Sequence, residues 1–386
     1  MSARARSRGL IPVSPAATPS QLLALGHDDG WSRALAAADV LRLDASAPGL
    51  ARVTRTDRGA CDLLGEEGPW RATWGADLVA AVARDPLAVP STGDWVAVQL
   101  WPDGQRTVEA VLPRRTVVVR AQVGGTSAGQ VIAANVDVVA VVEGLYPDPD
   151  LARVERLMAL AWRSGARPRL VLTKGDLGES DNRSAGLELA LEIGQQVAAG
   201  CEVDVTGAPT GTGLEGLRAL LAEGATIALV GASGVGKSTL LNSLVGRPQA
   251  MRTQTLGAMQ KGRHTTVTRE LHLAAGGGCL IDTPGLRSVG LVGEDGLAEA
   301  FADVDELSTR CRFTDCGHGT EPGCAVREAI ETGELSPRRL ASWDKLRREA
   351  AWQAGRADVR LRQEQLRVWK QRTRAHRQRP ERDARG

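Results

Sequence analysis

The order of three short motifs constrains this 386-residue chain more than any other feature. Thr173-Lys174-Gly175-Asp176 comes first, Gly231-Ala232-Ser233-Gly234-Val235-Gly236-Lys237-Ser238 second, and Asp282-Thr283-Pro284-Gly285 third. The middle motif satisfies G-x-x-x-x-G-K-[ST] at every fixed position. Its glycines let the backbone curl so that consecutive N–H groups converge on phosphate oxygens. Lys237 is expected to reach the β and γ phosphates and to act in catalysis, and Ser238 to ligate Mg²⁺. Gly231, Ser233, Gly234, Val235, Gly236 and Thr239 complete the cradle. Residues 227–230 predict the strand that feeds this loop and 237–245 the helix that leaves it. The helix adds its N-terminal partial positive charge. A chance glycine-rich turn does not come framed in this way.

Asp176 follows an apolar segment, 169–172, that predicts a buried strand. A carboxylate there can accept both the N1–H and the 2-amino hydrogen of guanine, a donor pair adenine lacks. Lys174 is expected to lie along the base. The usual form of such a reader is N-K-x-D, and here Thr173 replaces the Asn. After the strand expected at 202–205 stands Thr206-Gly207, where a Ser-Ala pair is common. Small residues still allow a backbone contact to the base. A guanine reader that precedes the phosphate loop reverses the usual order, so the nucleotide-binding domain is expected to be circularly permuted. The plain alternative is that Lys174 and Asp176 form a solvated turn.

Asp282 follows the apolar segment 279–281, as expected of a carboxylate that holds a Mg²⁺-bound water. Gly285 is expected to offer its N–H to the γ-phosphate. The next residue is Leu286, where many small GTPases carry the Gln that orients the attacking water. Water positioning must come from elsewhere, and the nearest source is Gly262-Arg263-His264-Thr265-Thr266. One of the two threonines, Thr266 by preference, completes the Mg²⁺ shell. His264 is the catalytic candidate, because imidazole can orient water or take its proton near neutral pH. The bland alternative is an exposed loop histidine. Some GTPases with an apolar residue at the Gln position use K⁺ held by an Asn inside the phosphate loop, and here that position is Gly234. Replacing Na⁺ by K⁺ is therefore expected to leave the hydrolysis rate essentially unchanged in a steady-state phosphate-release assay.

Cys311, Cys316, His318 and Cys324 form C-x₄-C-x-H-x₅-C. Three thiolates and an imidazole suit tetrahedral Zn²⁺ with no open position, a structural site. The alternative is three free thiols beside a surface histidine. Cys61, Cys201 and Cys279 are scattered and fit ordinary buried positions.

The rest of the chain suggests three further regions. An extension is expected over 1–45, with helical stretches near 20–25 and 32–40. Short β-type runs at 50–54, 69–73, 94–100 and 107–112 predict a small barrel of the OB type over 46–115. Trp70, Trp74, Trp95 and Trp101 are either stacking surfaces for bases or core residues, core for at least half. Strands at 136–142, 169–172, 202–205 and 227–230 alternate with helices at 150–163, 185–199 and 214–222. This pattern predicts a doubly wound, mainly parallel α/β sheet over 130–300. A hairpin through Gly276-Gly277-Gly278 joins 271–273 to 279–281. From 301 to 386 the chain is expected to be helical around the cysteine cluster. The last 31 residues, from Arg356, carry 11 Lys/Arg against 4 Asp/Glu, although the whole chain has a formal charge of only +2. That asymmetry suggests contact with nucleic acid, or else a solvated Arg-rich helix. No run approaches the ~18 apolar residues of a membrane helix, so no membrane partner is expected. Arg4, Arg6 and Arg8 precede no apolar core, so a cytoplasmic location is expected.

Together these motifs resemble the ribosome small-subunit-dependent GTPase A family over about residues 50–350. The resemblance rests on the permuted order, Gly262-Arg263-His264-Thr265-Thr266, Asp282-Thr283-Pro284-Gly285, and the run Cys311-Arg312-Phe313-Thr314-Asp315-Cys316-Gly317-His318. Gln130–Asp137 and Gly93-Asp94-Trp95-Val96 add to it. It implies an N-terminal OB-fold, a permuted GTPase domain and a C-terminal zinc domain. It also implies GTP/GDP and the small ribosomal subunit with its rRNA as partners, subunit-stimulated hydrolysis, a role in late subunit maturation, and a monomer. Thr173 and Thr206-Gly207 depart from the family's consensus. The rival readings are an RNA-binding module that senses guanine nucleotide without turnover, an ATPase, and a GTPase with another RNA partner.

Overall fold

The computed structural model describes residues 21–38, 49–121, 129–146, 148–176, 188, 192–194, 197, 200–246, 269–283, 285 and 296–357. Five strands form a closed barrel: β1 (Gly49–Asp57), β2 (Ala60–Gly65), β3 (Gly68–Trp74), β4 (Trp95–Leu100) and β5 (Arg106–Val111). Their order is β1-β2-β3-β5-β4, closed by β1 against β4, and only the β3–β5 pair is parallel. The helix Ala76–Arg84 lies between β3 and β4. This is the OB arrangement that the β-type runs predicted. The expectation lacked β2, whose Asp62 and flanking Gly59 and Gly65 mask its alternation. Trp95 is buried, and Trp70, Trp74 and Trp101 are half-buried. Trp70 stacks under Arg106, 5.0 Å from its centroid, and Trp101 donates its indole N–H to Thr107 Oγ1 at 2.7 Å. None of the four is an open stacking platform.

A two-stranded ribbon, β6 (Val117–Arg120) with β7 (Gln130–Ala134), leads into a six-stranded sheet. Its strands are β8 (Val138–Gly144), β9 (Arg167–Thr173), β10 (Glu202–Val205), β11 (Thr226–Val230), β12 (Glu270–Leu273) and β13 (Cys279–Asp282). The order is β10-β9-β8-β11-β13-β12, with all neighbours parallel except β12, which returns antiparallel on β13. Side chains alternate across the sheet with period two. Val139 and Val141 of β8 join the face covered by the helix Leu151–Arg163 and the C-terminal helices. Val138, Ala140 and Val142 join the face covered by the helices Glu215–Ala222 and Lys237–Val245. Burial on both faces explains why this strand is apolar up to Glu143. The helix expected over 185–199 falls largely outside the described residues; 192–194 are helical. Among the described residues no helix is long and apolar enough to cross a membrane.

The helices Gln21–Ala24 and Asp29–Ala37 wedge between barrel and sheet, a role the sequence did not announce. Leu25 and Trp31 are buried there, and Trp31 meets Trp95 at 5.6 Å. Arg52 of β1 is the hub of this joint. Its guanidinium donates to the carbonyls of Leu25, Gly93 (3.2 Å) and Asn135 (2.8 Å) and to Thr226 Oγ1 (2.8 Å). Arg52 is fully buried, and burial pulls its pKa down. An Arg52→Leu substitution would leave the Leu25 and Asn135 carbonyls and Thr226 Oγ1 without that donor, at about 1–3 kcal/mol each before relaxation. Its expected effect is a urea midpoint lowered by the equivalent of about 3 kcal/mol or more; a midpoint within error of wild type would refute this role.

The C-terminal helices Leu297–Ala300, Ala302–Thr309, Ala325–Glu331 and Pro337–Ala357 close the molecule. Glu155, wholly buried on the helix Leu151–Arg163, accepts from Arg338 at 3.0 and 3.1 Å and from Arg339 at 2.9 Å. Arg339 also reaches Asp303 at 2.9 Å and stacks on Phe301 at 4.2 Å.

Candidate nucleotide site and metal centre

The three motifs meet at the C-terminal edge of the parallel strands, although residues 177–230 lie between the first and the second. The phosphate loop follows β11 and runs into the helix Lys237–Val245. Gly236 caps that helix at φ 101° with no side-chain cap, so the first-turn N–H groups stay open to an anion. Gly231 must lack a side chain, because a Cβ there would stand 2.3 Å from the Val142 carbonyl. Lys237 is buried and folds back onto the loop, donating to Gly231 O at 2.9 Å and Ala232 O at 2.7 Å. Burial lowers its pKa, opposed by the charges of Asp282 and Glu143.

Thr173, the departure from N-K-x-D, ends β9 beneath the loop. Its hydroxyl bonds to the Val235 carbonyl and lies 3.2 Å from that of Glu143. A Cβ on Gly236 would sit 3.0 Å from the same hydroxyl oxygen. Thr173 therefore ties the end of β9 to the phosphate loop. Lys174, at φ 63°, donates to Tyr146 O at 3.0 Å. Asp176 stands beside Thr206-Gly207: a Cβ on Gly207 would be 3.0 Å from Asp176 Cβ, and Gly175 N donates to Thr206 O at 3.0 Å. The candidate base reader and the small-residue loop thus lie side by side.

Asp282 ends β13 next to β11, with Leu229 opposite it in register. It is buried, and burial pushes its pKa up to about 6, countered by Lys237. Its Oδ1 is buried without a hydrogen-bond partner among the described residues. An orphaned carboxylate oxygen facing a phosphate loop fits a hydrated Mg²⁺. Gly285 packs on the loop so tightly that a Cβ would meet Ser233 Oγ at 2.0 Å. Ser238 and Thr239 begin the helix after the loop. His264, Thr265, Thr266 and Leu286 lie outside the described residues.

The sequence reading missed Glu143 and Arg153. Glu143 is buried at the end of β8, and Arg153 holds its two carboxylate oxygens at 2.9 and 2.7 Å. The one available signal was an acid closing an otherwise apolar run. A cavity of about 390 Å³ sits at the opposite edge of the sheet, by Trp31, Asp137 and Thr226, away from the three motifs.

The second centre lies between the helices Ala302–Thr309 and Ala325–Glu331. Cys311, Cys316, His318 and Cys324 bring one ligand atom each within 4.8 Å of the others. Cys311 Sγ is 3.9 Å from Cys324 Sγ and 3.7 Å from His318 Nδ1, and Cys324 Sγ is 3.5 Å from that nitrogen. A zinc tetrahedron with Zn–S of about 2.3 Å has edges of about 3.7 Å, so the donor set is spaced for the ion. His318 Nε2 lies 3.1 Å from Ser308 Oγ, which leaves Nδ1 for the metal. Glu321 accepts from the Gly317 and Gly319 N–H groups and pins the loop.

The RsgA GTPase family model matches residues 111–292. A small ribosomal subunit biogenesis GTPase RsgA from Streptomyces coelicolor is 46% identical over 92% of this chain and 93% of its own length. The chain belongs to the RsgA GTPase family. A relative of the same name from Opitutus terrae is 43% identical over 83% of this chain and 88% of its own. The crystal structure of YjeQ from Thermotoga maritima aligns at a TM-score of 0.55 and 26% identity, covering 78% of this chain and 98% of that one. YloQ, described as a circularly permuted GTPase, shares the fold at a TM-score of 0.55 and 23% identity over 81% of this chain and 98% of its own. The permuted GTPase fold accounts for β9 and its motif preceding the loop strand β11. All three nucleotide motifs fall inside the matched span, and the cysteine cluster lies beyond it.

Proposed function

We propose that this chain binds GTP through the loop 231–238 with Mg²⁺, hydrolyses it, and couples that hydrolysis to late maturation of the small ribosomal subunit. As an RsgA GTPase the chain is a GTP phosphohydrolase of small-subunit biogenesis. The observation that supports the site assignment is the contact of Thr173 with the phosphate loop, which joins the segment 173–176 to the loop 231–238. Asp176 selects guanine, with Lys174 along the base. Ser238 and Thr266 hold the Mg²⁺, with Asp282 on its water, and Lys237 neutralises charge developing on the phosphates. Gly285 donates its N–H to the γ-phosphate, and His264 positions water in place of a glutamine. Zn²⁺ held by Cys311, Cys316, His318 and Cys324 would be structural, because the four donors leave no open position.

The partners proposed are the small subunit and its rRNA, met by a monomer through the barrel, the metal loop and the basic tail. Only 25 residues separate Gly285 from Cys311, a short path by which loss of the γ-phosphate could reposition the metal loop. The deciding experiment is GTP hydrolysis with and without purified small subunits, together with subunit affinity in a non-hydrolysable GTP analogue and in GDP. Stimulated turnover and a higher affinity in the analogue are expected. Single-turnover hydrolysis at background in both cases would favour an RNA-binding module that senses guanine nucleotide, a reading motivated by Leu286.

A further inference from the structure

The segment Gly93-Asp94-Trp95-Val96 belongs to the barrel, yet it packs against the switch strand β13. Gly93 takes a φ of 94°, and a Cβ there would stand 2.2 Å from the Ala134 carbonyl oxygen and 2.9 Å from Ile281 Cδ1. Ile281 is the residue before Asp282. Asp94 holds the turn, accepting from Ser91 N at 2.8 Å and from Arg114 Nε and Nη2 at 2.8 Å each. Its neighbour Thr92 donates its hydroxyl to the Arg269 carbonyl at 3.3 Å, just before β12. The barrel therefore rests on both arms of the β12–β13 hairpin.

A charged pair joins barrel and hairpin at the same place, where β12 is the outer strand of the described sheet. Arg55 of β1 brings Nη1 to 3.5 Å from Glu270 Oε1. Glu270 lies directly opposite Asp282 in the antiparallel register, so the two carboxylates project from one face of the sheet. Like charges placed in this way repel. Burial raises the Asp282 pKa, Lys237 opposes the rise, and Glu270 adds to it. His272 Nε2 comes within 3.9 Å of Glu270 Oε2, but burial holds the imidazole pKa down, so Arg55 is the standing cation at Glu270. Arg55 is also 3.6 Å from Asp57, which Arg71 holds at 2.9 Å. Both side chains of the Arg55–Glu270 pair are 39% exposed, and a pair so open to water contributes little to stability. Its larger consequence is the charge it places beside Asp282.

We propose that Glu270 and Arg55 are positioning residues for the Mg²⁺ site, setting the charge beside the switch aspartate rather than contacting the nucleotide. Glu270 adds negative charge next to Asp282, which strengthens the hold on a divalent cation. Arg55, carried by the barrel, offsets that charge. The barrel thereby has a lever on the Mg²⁺ site, because a shift of β1 against β12 changes how much of the Glu270 charge is compensated. This rests on the reading of 231–238 and Asp282 as a GTP–Mg²⁺ site.

The test keeps the full-length protein saturated with a fluorescent, non-hydrolysable GTP analogue and titrates in Mg²⁺, reading the analogue's emission and its release rate. Glu270→Gln should raise the half-saturating Mg²⁺ concentration by about two- to fivefold, the effect of one partly screened charge on a divalent ion. Arg55→Gln should lower it, by at most about the same factor. Arg55→Lys keeps the charge and should titrate close to wild type. The Arg55→Gln Glu270→Gln double variant should return toward wild type. Opposite signs in the two single variants mark an effect of charge. A purely structural pair would move both in one direction, together with the urea midpoint, and that result overturns the proposal. So do single variants that titrate like wild type. Both side chains are half-exposed, so the variants are expected to fold. The wild type separates the two readings. If Mg²⁺ alters neither emission nor release of the bound analogue, the GTP–Mg²⁺ site falls and this pairing with it. If Mg²⁺ acts on the wild type and the variants titrate alike, the pairing alone falls.

Discussion

Asp176→Asn is expected to lower GTP affinity by roughly a hundred- to ten-thousandfold and to create affinity for xanthosine triphosphate. The carboxylate offers two acceptors to the N1–H and the 2-amino group. An amide offers one acceptor and one donor, so the 2-amino group meets another donor. Two charge-assisted hydrogen bonds at about 1.5–3 kcal/mol each set the range. Xanthine carries a carbonyl at that carbon and accepts from the amide instead. The neighbouring Thr206-Gly207 loop is unchanged, so the pocket should still admit a purine. Titration with fluorescent GTP and XTP analogues measures both affinities. GTP binding at wild-type strength would remove Asp176 from the base pocket and reopen the ATPase reading.

Loss of the metal centre should have the second-largest effect. Purified protein is expected to contain about one zinc per chain, and Cys316→Ser to contain little. Structural zinc contributes on the order of 10 kcal/mol to small metal-dependent folds. Apart from the metal ligands, the loop 311–324 is held by a few hydrogen bonds, among them those of Glu321 to the Gly317 and Gly319 N–H groups, and by the burial of Cys324. The Trp343 ring lies 5.7 Å from that of His318, so its emission reports on the loop. A red-shifted emission and a lower melting temperature are expected in Cys316→Ser. The metal ligands lie apart from the phosphate loop, so GTP should still bind. Metal analysis that finds no zinc in a fully folded wild type would sink this assignment.

Legibility in the sequence followed the range of the interactions. The phosphate-loop motif and the cysteine cluster stand out because their chemistry is local: Gly231 to Ser238 and Cys311 to Cys324 each span one short segment. The centre of the sheet was readable because β8, β11 and β13, buried throughout, are nearly continuous apolar runs. Features built from distant residues were not. Arg52 finds Thr226 across 174 positions, and nothing near either residue signals the pairing. The wedge of Leu25 and Trp31 resembles any short amphipathic helix until the barrel stands beside it. Thr173 looked like a weakened motif, because the carbonyl its hydroxyl reaches lies 62 residues downstream.

The grip of Arg338 and Arg339 on Glu155 bears on how this protein can be dissected. A fragment ending before residue 337 would strand an ionised carboxylate in an apolar interior, an error worth about 3–5 kcal/mol. The catalytic half is therefore not a portable module. Trimming the chain to obtain a minimal nucleotide-binding piece should yield insoluble material unless Glu155 is first changed to an uncharged residue of similar size.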